Sequence, residues 1–316
     1  MFTIGPFRAL RFDFMVEGSA SWLIDEIEAA LTDLRRPEKA EFERPTLSVL
    51  TLTQIFEPSK FWRVSLDGEM RTEGYDPAYI VGVVLREISA IAVRSISGHL
   101  TLHAAAMARN NIALVIAGPS HAGKSTLAAA LTVAGWQYLS DDVAPLVRHL
   151  REDTDGPATA ERDIACNRRR EAEIDDVVTV LGFARPLTLR TGSAALLAKW
   201  LNPITVPRSA PVERYIRASR LGVVIERARL GAFVILDPTG APPDLNHQLE
   251  RLSPGTALLE LARCTHGETP LDRERLTALA TISPLVPTYR IGRPSVDFAP
   301  AVLQRILDAA TMSAPV

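Results

Sequence analysis

The sequence predicts an α/β protein in two parts, a smaller α+β unit followed by a larger α/β unit. Three observations predict it. The apolar run Ile112–Ala117 leads into a glycine-bearing loop and then an alanine-rich stretch, the pattern of a strand, a turn and a helix. Trp62, Val64 and Leu66 alternate with Arg63 and Ser65, as a half-buried strand requires. Ile80, Val83, Val84, Ile88 and Ile91 recur at helical spacing. A chain of 316 residues suits about two domains, at roughly 100–200 residues each. The division is set at residues 1–95 and 96–316.

In the first unit, Ser21 is read as the cap of a helix carrying Leu23, Ile27, Ala30, Leu31 and Leu34 on one face. Arg36-Pro37 ends it, because the residue before proline avoids the helical region. Residues 46–53 are rich in leucine and β-branched types and read as a strand. After the alternating strand at 62–66, Asp67-Gly68 supplies a hairpin turn, since both tolerate positive φ. Asp76-Pro77 then opens the second helix, with proline at its first position.

The second unit begins near Gly98. Residues 100–108 and 112–117 read as two strands joined at Asn110-Asn111, and a helix follows from Lys124 to Ala134 with Gly135 at its C-terminal end. Residues 136–140 form a short strand ending in Asp141-Asp142. Residues 148–176 read as a long loop, with Arg168, Arg169 and Arg170 on a solvated face. Strands are expected at 220–226, 231–236 and 286–291, and a closing helix at 300–310.

Composition narrows the function classes. Apolar residues make up 47% and charged residues 23%, which excludes wholesale disorder and a fibrous repeat. With 35 basic and 37 acidic residues, net charge is −2, so no broad basic field exists for nucleic acid. Two cysteines, Cys166 and Cys264, are too few for a disulfide framework and suit a reducing cytoplasm. The first residues lack a basic segment followed by an apolar core, and no apolar run reaches 18 residues; neither a signal peptide nor a membrane span is expected. No histidine and cysteine spacing suggests a structural metal.

The chemistry concentrates at residues 118–126. Gly118-Pro119-Ser120-His121-Ala122-Gly123-Lys124-Ser125-Thr126 fits the phosphate-binding pattern of two glycines four apart, then lysine and a hydroxyl residue. Such a loop turns N–H groups inward as an anion nest, and the following helix adds its positive end. Lys124 reaches the β- and γ-phosphates of a nucleoside triphosphate, and Ser125 ligates Mg²⁺. Asp141 and Asp142 follow Gly118 by 23 and 24 residues, at the end of the returning strand, where ligands collect in open α/β sheets. One carboxylate there can face the metal and the other an incoming hydroxyl; the alternative is a pair that only shapes the turn before Pro145. His103, 15 residues before Gly118, reads by itself as a core histidine or a site residue.

Taken together, Leu102-His103, the loop from Gly118 to Thr126, and Gly135-Trp136-Gln137-Tyr138-Leu139-Ser140-Asp141-Asp142 resemble the HPr kinase/phosphorylase family. The segments Arg185-Pro186-Leu187-Thr188-Leu189-Arg190 and Pro287-Thr288-Tyr289-Arg290 are similar to those of HPr-kinase-related proteins of bacterial biosynthetic clusters. The resemblance covers roughly residues 98–310. It implies an HPr-kinase/PEP-carboxykinase-like P-loop nucleotide-binding fold behind a smaller N-terminal α+β domain. It also implies ATP and Mg²⁺ as cofactors, Asp141 as general base, Asp142 and Ser125 as metal ligands, and His103 beside the phosphoryl group. The family usually has glycine where this chain has His121, and its glycine-rich phosphorylase signature is not found around Glu173-Ile174. The expectation is therefore a cytoplasmic ATP-dependent kinase without phosphorylase activity, acting on a hydroxyl, chiefly a serine of a peptide or protein such as a ribosomally made natural-product peptide. A homo-oligomer is left open. The competing reading is a non-kinase P-loop ATPase or nucleotide-gated binding module, in which Asp237, closing the apolar run from Ala232, holds the metal.

Overall fold

The computed structural model describes residues 1–36, 48–56, 61–96, 99–149, 177–197, 213–240, 249–265 and 272–312. The expected loop from residue 150 onward, Arg168–Arg170, Cys166 and the Glu173-Ile174 segment lie outside these residues.

The N-terminal part is a five-stranded sheet with two helices. Its elements run β1 (Phe2–Ala9), β2 (Phe12–Gly18), α1 (Ser21–Leu31), β3 (Ser48–Ile55), β4 (Phe61–Leu66), β5 (Glu69–Gly74) and α2 (Pro77–Ser95). Strands pair in sequence order, β2 and β3 in parallel and the others antiparallel. Alternation in β4 buries Trp62, Val64 and Leu66, and Asp67 and Gly68 take positive φ in the hairpin turn. The face expected on α1 is buried, but Ser21 is the first helical residue and not a cap; Ala20 precedes it without a side-chain bond. The β1–β2 hairpin was not foreseen. Its turn uses Leu10 at positive φ, and no Asn-Gly or Asp-Gly pair marks it.

The larger part holds β6 (Leu100–Leu102), β7 (Ala104–Arg109), β8 (Ile112–Ala117), α3 (Lys124–Val133), β9 (Gln137–Ser140), β10 (Ala144–His149), β11 (Val177–Leu181), β12 (Leu187–Arg190), α4 (Thr191–Leu197), β13 (Glu213–Ile216), β14 (Arg227–Asp237), β15 (Glu250–Arg251), α5 (Pro254–Ala262), α6 (Arg273–Ile282), β16 (Thr288–Gly292) and α7 (Ala299–Met312). Nine strands form one mixed sheet with the order β6-β10-β11-β14-β8-β7-β9, and β16 joins β14 and β15. β14 runs parallel to both β8 and β16.

Both faces of the central strands are covered, which is why they read as continuous apolar runs. Leu114, Ile116, Val234 and Leu236 face α3 and α7, while Val115, Ala117, Phe233 and Ile235 face the α5–α6 side. On α7, Val302, Leu303, Ile306 and Leu307 are buried, each worth about 1.5–3 kcal/mol on leaving water.

Two expectations are corrected. The strand expected over 100–108 breaks at His103, whose N–H donates to Cys264 O at 2.6 Å, so β6 pairs with β10 and β7 with β8. Residues 220–226 do not form a strand. They make one bridge, Tyr138 to Val224, because a short 3-10 turn at Ala218–Arg220 and Gly222, packed against Thr132, bend the chain around the end of α3.

The two parts share buried surface. Val143 and Phe183 of the larger part sit in the N-terminal core with Leu85 and Ile88 of α2. That packing brings α2 alongside the ends of β9 and β12.

Candidate active site

The loop between β8 and α3 adopts backbone shapes that only small or special residues take easily. Gly123 has φ +99° at the N-terminal end of α3. A Cβ on Gly118 would stand 2.9 Å from Leu236 O, so β14 presses directly on the loop. His121 holds φ +67°, a left-handed conformation that glycine adopts at no cost. Its imidazole accepts from Arg190 NH1, so the side chain reaches across the loop to the end of β12.

Lys124 is buried, and its ammonium donates to the Gly118 and Pro119 carbonyls at 2.9 and 3.1 Å. Burial lowers its pKa, opposed by the charges of Cys264, Asp142 and Asp141. Thr126 leaves the loop in the other direction and donates to Ser193 Oγ at 2.6 Å, tying α3 to α4.

The two aspartates at the end of β9 occupy different surroundings. Asp141 is fully buried. It receives bonds from Tyr138 OH at 3.2 Å and the Thr188 amide at 3.4 Å, and the neighbouring Ser125 side chain helps to lower its pKa. Burial raises its pKa; the Arg185 guanidinium opposes that, and the Asp142 charge adds to it. Tyr138 is pushed well above its ordinary value by burial and by Asp141, so it stays a donor. Asp142 is partly exposed to the cleft. His103 Nδ1 lies 3.0 Å from one of its oxygens and Arg185 NH1 2.8 Å from the other.

Arg185 joins these groups. Its Nη1 also donates to Ser89 Oγ on α2 at 3.0 Å, its Nη2 to Thr188 Oγ1 at 3.1 Å, and its Nε lies 3.8 Å from Asp141. Burial alone would lower its pKa, but the two carboxylates outweigh that and raise it.

These residues line one cleft of about 960 Å³. Every expected site residue falls in the loop or at this cleft. Asp141 neighbours Ser125, while Asp142 faces the cleft beside His103. Asp237 is not among the residues that line the cleft; its carboxylate accepts from the Thr239 amide and hydroxyl at 2.8 and 2.7 Å. Arg185 and Arg190 were quoted in the sequence only as part of a similar segment. Nothing in their spacing marks them, because β12 reaches the aspartates only through the tertiary fold. Arg86 and Tyr215 were likewise unforeseen as lining residues.

The donor set fits the groups the motif implies. The loop offers amides, a buried ammonium and a cradle that a Cβ at Gly118 would fill, as triphosphate binding requires. Ser125 and Asp141 are adjacent hard oxygen donors. The described residues hold no cluster of three or more His, Cys, Asp or Glu that would cage a metal, and Mg²⁺ needs only one or two protein oxygens when phosphates and water supply the rest.

No family model matches the chain. No curated protein shows significant similarity to it. Among solved structures, the chain is similar to the HPr(Ser) kinase/phosphatase from Coxiella burnetii, with 14% identity over 67% of this chain and 96% of that one, at a TM-score of 0.34. At that level the likeness establishes neither a shared fold nor a shared activity. No helix among the described residues is long and apolar enough to cross a membrane.

Proposed function

We propose that this protein is an ATP-dependent kinase that moves the γ-phosphoryl group to a hydroxyl, that of a serine in a peptide or protein. One observation carries the reading: two carboxylates meet the first turn of α3, Asp141 next to Ser125 and Asp142 at the cleft beside His103. A metal contact takes one of them and leaves the other to receive the proton of an attacking hydroxyl.

In this reading the loop amides and Lys124 hold the β- and γ-phosphates. Ser125 and Asp141 hold Mg²⁺, which when bound neutralises charge on the phosphates. Asp142 is the base. A carboxylate has about four lone-pair sites, so with one oxygen bonded to His103 and the other to Arg185 it retains capacity toward the cleft. The acceptor O–H proton passes to Asp142 as the oxygen attacks phosphorus in line and the bond to the β-phosphate oxygen breaks, leaving ADP. His103 and Arg185 fix the carboxylate's orientation. The metal and base roles first read for Asp142 and Asp141 are thereby exchanged.

The ATPase reading loses support because Asp237 is bonded to Thr239 and does not line the cleft, which Asp141 and Ser125 do. The test is incubation with γ-labelled ATP, Mg²⁺ and serine-containing peptides, with mass spectrometry of the products. Phosphoserine is expected, together with ADP. ATP binding without transfer to any acceptor would move the reading to a binding module.

A further inference from the structure

Five cationic side chains line the cleft, beside Asp141, Asp142 and Asp297. Its lining includes Arg86, Lys124, Arg185, Arg190 and Arg293. Three of these belong to the loop side. Lys124 is part of the loop, Arg190 touches His121, and the Arg293 side chain lies against Gly123, where a Cβ would stand 3.1 Å from its Cδ. Arg185 is engaged by Asp141 and Asp142. Arg86 is left over, on the opposite wall, contributed by α2 of the N-terminal part.

The placement of Arg86 is specific. It is exposed, has no carboxylate partner among the described residues, and lies over the Tyr79 ring with its Cζ 5.5 Å from the centroid. One turn before it, Gly82 leaves room for the Tyr215 hydroxyl, which a Cβ there would strike. Three residues after it, Ser89 binds Arg185, and Arg185 binds Asp142. Arg86 and Ser89 therefore share a helix face, and both Arg86 and Asp142 line the same cleft.

We infer that the acceptor is an acidic peptide, with an aspartate or glutamate close to the serine, gripped by Arg86 of α2. The inference rests on the kinase reading above. It assigns the N-terminal part a role as the acceptor-binding wall. A guanidinium held over an aromatic ring is suited to a carboxylate, which it meets with two parallel N–H groups.

The experiment uses the full chain, labelled ATP with Mg²⁺, and three peptide sets that differ only beside the serine: Asp or Glu, Asn or Gln, and Lys. Acidic peptides are expected to be the best substrates. Arg86→Ala should raise KM for the acidic set about fivefold, leave KM for the neutral set and for ATP in place, and change kcat little. Arg86→Glu should shift the preference to the Lys set, a reversal that general damage would not produce. Equal rates on acidic and neutral peptides, or an Arg86→Ala defect shared by every peptide, would overturn the inference while the kinase reading stands. Transfer to no peptide with ATP still bound would overturn both.

Discussion

His103 Nδ1 stands 3.0 Å from Asp142 Oδ1, at the point where the break between β6 and β7 meets the end of β9. Together with Arg185, 2.8 Å from the other oxygen, the contact orients the carboxylate at the cleft. Asp142→Asn keeps the shape and loses the basic oxygen, so turnover should fall about 10²- to 10⁴-fold with ATP affinity little changed. Asp141→Asn should instead raise the Mg²⁺ concentration needed for half-maximal rate, because it removes a proposed metal contact. Transfer rates measured against ATP and against Mg²⁺ in both variants separate the roles. The opposite pattern would restore Asp141 as the base.

Lys124→Ala removes the ammonium that now rests on the Gly118 and Pro119 carbonyls and that would turn to the phosphates. ATP affinity should drop at least tenfold, an electrostatic loss of about 1.4 kcal/mol or more. Calorimetric titration with Mg-ATP reads it directly, and unchanged affinity with unchanged turnover would remove the loop from the site.

Arg185→Met leaves two carboxylates close together without their shared cation. Breaking such a buried pair costs about 3–5 kcal/mol, visible in urea unfolding. The pH dependence has a definite sign. Burial already raises the pKa of Asp141 above 3.8, and Arg185 is the largest influence lowering it. Without Arg185 it rises further. A raised carboxylate stabilises the fold while protonated and loses that contribution as pH climbs through its folded value. The gap between variant and parent should therefore be smallest near pH 4 and widen toward neutrality. Adding Asp141→Asn to Arg185→Met should recover part of the loss.

Asp13 gives the reverse case. Arg8 binds both of its oxygens at 2.7 and 2.8 Å across the β1–β2 pair, and Arg36 adds a bond at 3.1 Å. The Arg8 bond holds the carboxyl below its ordinary value of 3.8. Its contribution is present above that value and is lost as pH falls through the lower, folded one. Asp13→Asn should lower Tm at pH 7 and make Tm less sensitive to acid below about pH 4. Parallel melting curves of variant and parent down to pH 2.5 would contradict this.

Local patterns made much of the scaffold legible. The alternation at Trp62, Val64 and Leu66 and the spacing from Ile80 to Ile91 report which side chains leave water, and that preference acts along a single element. The loop at 118–125 was legible for a stronger reason: a chain that cradles phosphates must place glycine where a side chain would collide, as at Gly118 against Leu236. The β1–β2 hairpin was not legible, since Leu10 holds its turn at positive φ without a turn-forming residue pair. Nor was the break at His103, which depends on a bond to Cys264, far along the chain.

The sequence by itself determined the glycine-bearing loop at 118–126, the pair of aspartates and their shared end of the sheet, because each follows from short-range spacing. It did not determine which aspartate does what. Successive strand residues point opposite ways, but which way is in was decided by packing: β12 brings Thr188 and Arg185 over Asp141, and α2 brings Ser89 to Arg185. Those contacts bury one carboxylate and leave the other facing the cleft. They form between segments far apart in the chain, where no periodicity carries information, so only the tertiary structure supplies the cation between the aspartates and the arginine on the opposite wall.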